Sequence, residues 1–172
     1  MSTPAVAALS LAIVVLMMLG ELRLSRSHER RLLAQGAVEP PDPVFVTMRW
    51  AYPGVFVAMA IEGALTGPAP GLATAAGAAL LVLAKALKYW AMAALGTRWT
   101  YRVIVLPGMP LVGTGPYRLM RHPNYVAVLG ELAGMALLTG ARVSGPLGAV
   151  FFASLLFRRV RAEEQALRLT AR

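Results

Sequence analysis

Apolar residues in this chain come in long blocks, separated by short connections rich in proline, glycine and arginine. A helix that crosses a bilayer needs about 20 mostly apolar residues, and the blocks are of that order. The first runs from Pro4 to Gly20 and the second from Val44 to Leu65, with Pro53-Gly54 inside it as a predicted kink. A third covers Leu72–Leu95, with Ala and Gly on faces suited to close helix packing. A fourth begins at Pro123 and ends near Gly140, and a fifth covers 145–157, before Arg158, Arg159 and Arg161. Between the first two lies Glu21–Gly36, where leucines interleave with arginines in the pattern of a separate interfacial amphipathic helix. Consecutive prolines at Pro40-Pro41 end any helix there, and Thr66–Gly71 reads as a tight turn. The stretch 96–121 is not a span. Its Arg102–Leu106 and Leu111-Val112 segments flank Pro107-Gly108-Met109-Pro110, which predicts a short β-hairpin or an extended excursion. Residues beyond Arg161 read as a helix emerging into water. The expected fold is an all-α integral membrane protein with about five transmembrane helices, forming one domain over residues 1–172.

Composition agrees. The chain is 58% hydrophobic and 15% charged, with a mean hydropathy of +0.62, too apolar for a soluble domain. A net charge of +9 would raise nucleic acid as a partner in a soluble protein. Here the arginines sit at the ends of apolar blocks, where the positive-inside rule and anionic headgroups account for them, so the expected partner is the lipid bilayer and no nucleic acid. Without cysteine there is no disulfide and no thiolate nucleophile. His28 and His122 are far apart, so no metal site is expected. The first block has no basic leader and is followed by Arg23, Arg26, Arg30 and Arg31, the pattern of a retained span and not of a cleaved signal. If the spans alternate, these arginines fall on one side together with Arg98, Arg102, Arg118, Arg121 and the C-terminal ones, leaving Arg142 alone on the other. The expectation is a multi-pass protein of a bacterial inner or plasma membrane, N-terminus outside and C-terminus cytoplasmic. The His122 and Glu163 regions then share the cytoplasmic side.

Gly115–Tyr125 packs two arginines, a histidine, two tyrosines and two prolines into eleven residues. Proline is favoured at the first helical position, where its missing N–H costs nothing, so the fourth span is expected to start at Pro123. A helix N-terminus beside Arg121 and His122 suits a carboxylate or phosphate; the alternative is an anchor at headgroup level. Glu163-Glu164 follows a run of arginines, as either a salt-bridged helix end in water or a carboxylate pair that grips a ligand bearing an ammonium and ribose hydroxyls. Two further carboxylates lie inside apolar blocks, Glu62 and Glu131, where ionisable groups are costly. Glu62 reads as structural. Glu131 comes nine residues after His122, about two and a half turns, and is read as lying deeper on the same side of the fourth span. It either takes a proton from an acceptor hydroxyl or pairs with Lys85, Lys88 or Arg102 to hold helices together. Arg121 and Glu131 are the candidate catalytic residues. Lys88-Tyr89-Trp90 and Arg98-Trp99 read as interfacial anchors, with cofactor lining as the alternative for Arg98 or Trp99.

The run Gly-Pro-Tyr-Arg-x-x-Arg-His-Pro-x-Tyr at 115–125, with Arg161-Ala162-Glu163-Glu164, resembles the isoprenylcysteine carboxyl methyltransferase and phospholipid methyltransferase superfamily. Those are integral membrane enzymes that use S-adenosylmethionine. The resemblance covers Leu87–Leu167 and is closest to short bacterial members associated with type III polyketide synthases. Lys88-Tyr89-Trp90 to Trp99, the Val105-Leu106-Pro107-Gly108 turn and the run from Asn124-Tyr125 to Glu131 carry that part of it. It implies a methyltransferase acting on a lipophilic small molecule, by O-methylation of a long-chain pyrone or resorcinol hydroxyl. In the wider family the acceptor is a prenylated cysteine carboxylate or a phospholipid amine. It also implies a cofactor-binding region over 98–172, made of a cytoplasmic loop and the C-terminal helix, with Tyr117, Arg121, His122, Pro123, Tyr125, Glu163 and Glu164 lining the cofactor pocket. Two positions depart from the eukaryotic prenylcysteine enzymes. Ala127 stands for their glycine two residues after the tyrosine, and Glu131 for an aromatic residue. An acid there favours a hydroxyl acceptor, which must lose a proton. A non-enzymatic membrane scaffold and a membrane reductase using a nicotinamide cofactor are the competing classes.

Overall fold

The long apolar blocks fold as helices, because in a bilayer every backbone donor and acceptor has to be satisfied within its own segment. The computed structural model describes residues 3–67 and 71–170; Pro68–Pro70 of the expected turn lie outside them. Five long helices follow one another: α1 (Thr3–Ala34), α2 (Phe45–Thr66), α3 (Gly71–Leu95), α4 (Pro123–Thr139) and α5 (Ser144–Thr170). Two short 3-10 turns, Gly96–Arg98 and Gly115–Arg118, bracket the connection between α3 and α4.

This is an all-α integral membrane protein. The stretches Pro4–Ala34 and Gly71–Arg98 are long and apolar enough to cross a membrane. All five helices also turn large apolar side chains outward, among them Leu16, Leu65, Val82, Leu137 and Val150. Water would penalise so continuous an apolar exterior, whereas lipid does not.

Three local features differ from the sequence expectation or sharpen it. The segment after Gly20 is not a separate interfacial helix: α1 runs unbroken to Ala34. A single glycine lowers helix propensity by only about 1 kcal/mol, and Glu21, Ser25 and Leu32 face inward and are buried. Pro53 sits within α2, which continues through it. The 102–112 stretch is the extended excursion and not the hairpin. Among the described residues its β-pairing is one antiparallel bridge, in which Val38 N–H donates to Val105 O (2.8 Å) and Val105 N–H to Val38 O (2.9 Å). Pro107 and Pro110 have no N–H to extend a ladder.

α3 and α4 form the tightest pair. A Cβ on Gly77 would lie 2.4 Å from the Leu138 backbone nitrogen, and one on Gly134 would lie 2.7 Å from that of Leu81. The two backbones thus touch where only hydrogen fits. The other helices close around Val14, Phe56, Met59, Leu132, Met135 and Phe152. At the end away from the Gly115–Tyr125 run, Glu62 of α2 caps α5. Its carboxylate accepts from Val143 N–H (2.9 Å), Ser144 N–H (2.7 Å) and the Ser144 hydroxyl (2.6 Å), answering donors that a helix start leaves unpaired.

Replacing Gly77 or Gly134 by alanine is expected to cost roughly 1–3 kcal/mol of stability through overpacking, read as a lower Tm in detergent. Gly54→Ala, where an added Cβ meets nothing within 4 Å, is expected to leave Tm unchanged or raise it.

Candidate functional site

The excursion after α3 folds back across the ends of α4 and α5. Val103 and Val105 pack on Ala166 and Leu167 near the end of α5, and Arg98 Nη1 donates to Pro110 O (2.7 Å), drawing in the tip. Between the excursion and the two helices lies a cavity of about 1080 Å³. One wall is apolar, built from the 103–112 segment with Leu32, Leu95 and Leu167. The polar wall is formed by Tyr117, Arg121, His122, Asn124 and Tyr125 from the α4 side and Arg159, Glu163 and Glu164 from α5, and Arg98, Thr100 and Arg102 add polar groups from the excursion.

The local sequence explains how these side chains are presented. α4 starts at Pro123, as expected, with His122 as its cap residue (φ −128°, ψ 61°). Tyr125 and Val126 N–H return to His122 O (3.1 and 3.3 Å), which places His122 and Tyr125 on neighbouring positions of the first turn. Gly115 adopts φ 59°, and a Cβ there would come within 2.9 Å of Ala94 Cβ. Only glycine both takes that conformation easily and lets the turn lie against α3.

Beside this helix start, α5 brings up its two carboxylates. Tyr125 Oη donates to Glu163 Oε2 (2.6 Å). His122 Nε2 lies 3.4 Å from Glu164 Oε1, and its Nδ1 lies 4.0 Å from Glu163 Oε2. Arg121 Nη1 is 3.6 Å from Glu164 Oε1, with its side chain 84% exposed at the mouth. The His122 and Tyr125 rings stack at 5.5 Å and 17°. Burial, reinforced by the charge of Glu163, holds the Tyr117 phenol well above the usual tyrosine range, so it stays a donor. The structure therefore gathers Tyr117, Arg121, His122, Tyr125, Glu163 and Glu164 on one cavity, although the carboxylates follow the helix start by about 40 residues. Pro123 is buried beneath and does not line it. Arg98 and Trp99 both line it, Trp99 with only 2% of its surface exposed.

Arg159 is a lining residue that the sequence did not single out. It is buried, and its guanidinium donates to Asp42 Oδ2 and to the Tyr101 carbonyl. Its partner Asp42 is 117 residues away, so nothing local marks it out from the other arginines at the end of the fifth block.

Glu131 stands elsewhere, which corrects the sequence expectation. At 3.6 residues per turn, nine residues end half a turn out of phase, so Glu131 faces away from His122. It meets Lys85 and Lys88 of α3 and Glu21 of α1. Lys85 Nζ is 2.9 Å from both Glu21 Oε1 and Glu131 Oε2. Lys88 Nζ is 2.7 Å from Glu21 Oε2 and 3.3 Å from Glu131 Oε1. Two phenols complete the set: Tyr52 Oη donates to Glu131 Oε2 (2.7 Å) and Tyr101 Oη to Glu21 Oε2 (2.8 Å). All four charged residues are at most 6% exposed, and two lysines against two glutamates leave no net charge. Of the alternatives for Glu131, the geometry is that of an ion-pair partner to Lys85 and Lys88. Arg102 pairs with Glu39 instead (2.9 Å). Lys88 is likewise no interfacial anchor, being 1% exposed, unlike Tyr89 and Trp90 beside it.

A buried ion pair broken on one side leaves an uncompensated charge, at a cost of about 3–5 kcal/mol. Glu131→Ala or Lys88→Met alone is therefore expected to lower Tm severely, while Glu131→Gln combined with Lys88→Met recovers most of the loss. Thermal unfolding in detergent checks both.

The model of the Isoprenylcysteine carboxyl methyltransferase (ICMT) family matches residues 77–169, which include α4, the excursion and the described polar wall. The chain is 34% identical over 162 residues to YpbQ, an uncharacterized protein of Bacillus subtilis (strain 168), covering 92% of this chain and 95% of that one. It is 26% identical over 147 residues to an uncharacterized protein of Haemophilus influenzae, covering 85% and 86% respectively. No solved structure matches it.

Proposed function

The chain belongs to the isoprenylcysteine carboxyl methyltransferase family of membrane methyltransferases, and we propose that it transfers a methyl group from S-adenosylmethionine to an oxygen of a lipophilic acceptor. The observation that carries this reading is the meeting of Glu163 and Glu164 with the His122–Tyr125 helix start on one cavity. S-adenosylmethionine bears an ammonium, a ribose diol, a carboxylate and an adenine ring, and supplies an electrophilic methyl on a sulfonium. The polar wall offers a match for each. Glu163 and Glu164 answer the ammonium and diol, Arg121 and His122 the carboxylate, and Tyr117, Tyr125 and Trp99 give aromatic surface. Pro123 sets the helix start that aims His122 and Tyr125. The cavity volume is also at the upper end of ligand pockets, which run to about 1,000 Å³, leaving room for part of an acceptor.

The acceptor we propose is a long-chain polyketide hydroxyl of the pyrone or resorcinol kind, with the acidic pyrone enol ahead. The carboxylates of the cavity are already engaged by Tyr125, His122 and Arg121, and Glu131 does not line it. An acceptor that arrives already ionised needs no base, and Arg98 and Arg121 make the rim attractive to an anion. A prenylcysteine carboxylate meets the same requirement, whereas a phospholipid amine does not. Arg121, at the mouth, then steers the acceptor, and Glu131 serves to hold the helices that frame the site.

The proposed topology has spans near 4–20, 44–65, 72–95, 123–140 and 145–157 in a bacterial inner membrane, with the C-terminus in the cytoplasm. Exposed Arg118, Arg121, Arg158 and Arg161, with half-buried Arg98, lie toward the cavity end, which supports a cytoplasmic cavity facing the cell's S-adenosylmethionine.

Calorimetric titration of the detergent-purified protein with S-adenosylhomocysteine and with a nicotinamide dinucleotide tests the chemistry. Saturable binding of the first is expected, weakened by at least about tenfold in His122→Ala and Glu163→Ala at an unchanged Tm, as loss of charge-assisted hydrogen bonds implies. Preference for the dinucleotide would point to a reductase. Binding of neither by folded protein would favour the scaffold.

A further inference from the structure

Residues 77–169, the stretch matched by the family, supply every residue lining the cavity except Leu32. They do not hold its wall in place by themselves. On α1, outside that stretch, Glu21, Ser25, His28 and Leu32 follow at spacings of four, three and four, which lines them along one helix face. The three polar members of the stripe bond to the segment where the wall begins. Tyr101 Oη donates to Glu21 Oε2 (2.8 Å), and Tyr101 N–H donates to Ser25 Oγ (2.8 Å). His28 Nδ1–H donates to Trp99 O (2.8 Å), since a carbonyl can only accept. Leu32 lines the cavity itself. Arg159 grips the Tyr101 carbonyl from the other side, so Tyr101 is fixed between α1 and α5.

The charge count leads to the same place. Within the matched stretch, Lys85 and Lys88 face one carboxylate, Glu131, an excess of one positive charge. Glu21 brings the set to neutrality and accepts the Tyr101 hydroxyl with the same oxygen that meets Lys88. The interior ion cluster and the cavity wall are therefore tied through one α1 carboxylate. Ser25, fully buried, is held in turn by donating to Glu29 Oε1 (2.6 Å).

We infer that the α1 stripe of Glu21, Ser25 and His28 is a positioning device that fixes the Trp99–Val105 wall and thereby sets the affinity of the cavity for its methyl donor. The inference rests on the cofactor reading of this cavity. None of the three side chains lines the cavity; they act through Trp99 and Tyr101. A wall ordered in advance leaves less freedom to be lost when a ligand binds, so cutting these ties weakens binding without removing any ligand contact.

Ser25→Ala and Tyr101→Phe each cut one tie and leave the four buried charges intact. Three quantities are measured on the full chain in detergent: Tm, amide hydrogen exchange of 99–105 without ligand, and affinity for S-adenosylhomocysteine. Both variants are expected to exchange faster across 99–105 and to bind roughly three- to tenfold more weakly, the worth of one net hydrogen bond, at nearly native Tm. Unchanged exchange in both variants overturns the inference, as does faster exchange with unchanged affinity, or a lower Tm with neither. If the wild-type protein binds no S-adenosylhomocysteine, the cofactor reading fails on its own, and the 99–105 exchange still decides whether the stripe fixes the wall.

Discussion

Two ammonium groups buried between helices cannot stand alone, and answering them organises this protein. Lys85 and Lys88 lie one turn apart on α3, at 6% and 1% exposure. An isolated charge in such surroundings costs several kcal/mol, so α1 and α4 must each deliver a glutamate to the same point. That requirement sets the rotation of three helices at once. Glycine contacts let α3 and α4 approach closely enough, and the continuous length of α1 lets Glu21 reach them. Tyr52 and Tyr101 occupy remaining acceptor sites on the two carboxylates. Through Tyr101 the cluster extends beyond the interior, because that residue belongs to the excursion that walls the cavity.

The cavity has a simple logic of supply. A rigid helix start presents His122 and Tyr125, a second helix presents Glu163 and Glu164, and a proline-interrupted strand-like segment closes over them. The lining combines polar and apolar groups, the combination that the proposed reading needs to hold a charged cofactor beside a greasy acceptor. The chemistry of methyl transfer asks little of a protein beyond alignment and exclusion of water. Such a site needs firm walls more than it needs a base, and the ties from α1 and α5 provide them.

Much of this was legible in the sequence. The long apolar blocks announced the helices, proline at 123 placed the start of α4 to the residue, and the eleven-residue run marked one wall. The paired glutamates mark the α5 part of the same wall only through the resemblance; neither spacing nor hydropathy predicts that Tyr125 and Glu163 touch. What failed did so for physical reasons. Nine residues past His122 is half a turn out of phase, so Glu131 lies among the lysines and not on the cavity side that the sequence reading assigns it. Glu21–Gly36 reads as interfacial because arginines dominate its exposed faces, while the stripe of buried Glu21 and Ser25 with half-buried His28 is polar and carries no apolar periodicity. Arg159 could not be told from its neighbours, since its partners Asp42 and Tyr101 come from distant parts of the chain.

The central claim is that this one cavity holds the methyl donor. Amide hydrogen exchange over the whole chain in lipid nanodiscs, with and without saturating S-adenosylhomocysteine, addresses it most directly. The account predicts ligand-induced protection concentrated in 98–125 and 159–167, with the far-end contact between α2 and α5 at Glu62 unaffected. Protection centred anywhere else, or none at a ligand concentration shown to saturate binding, would contradict it.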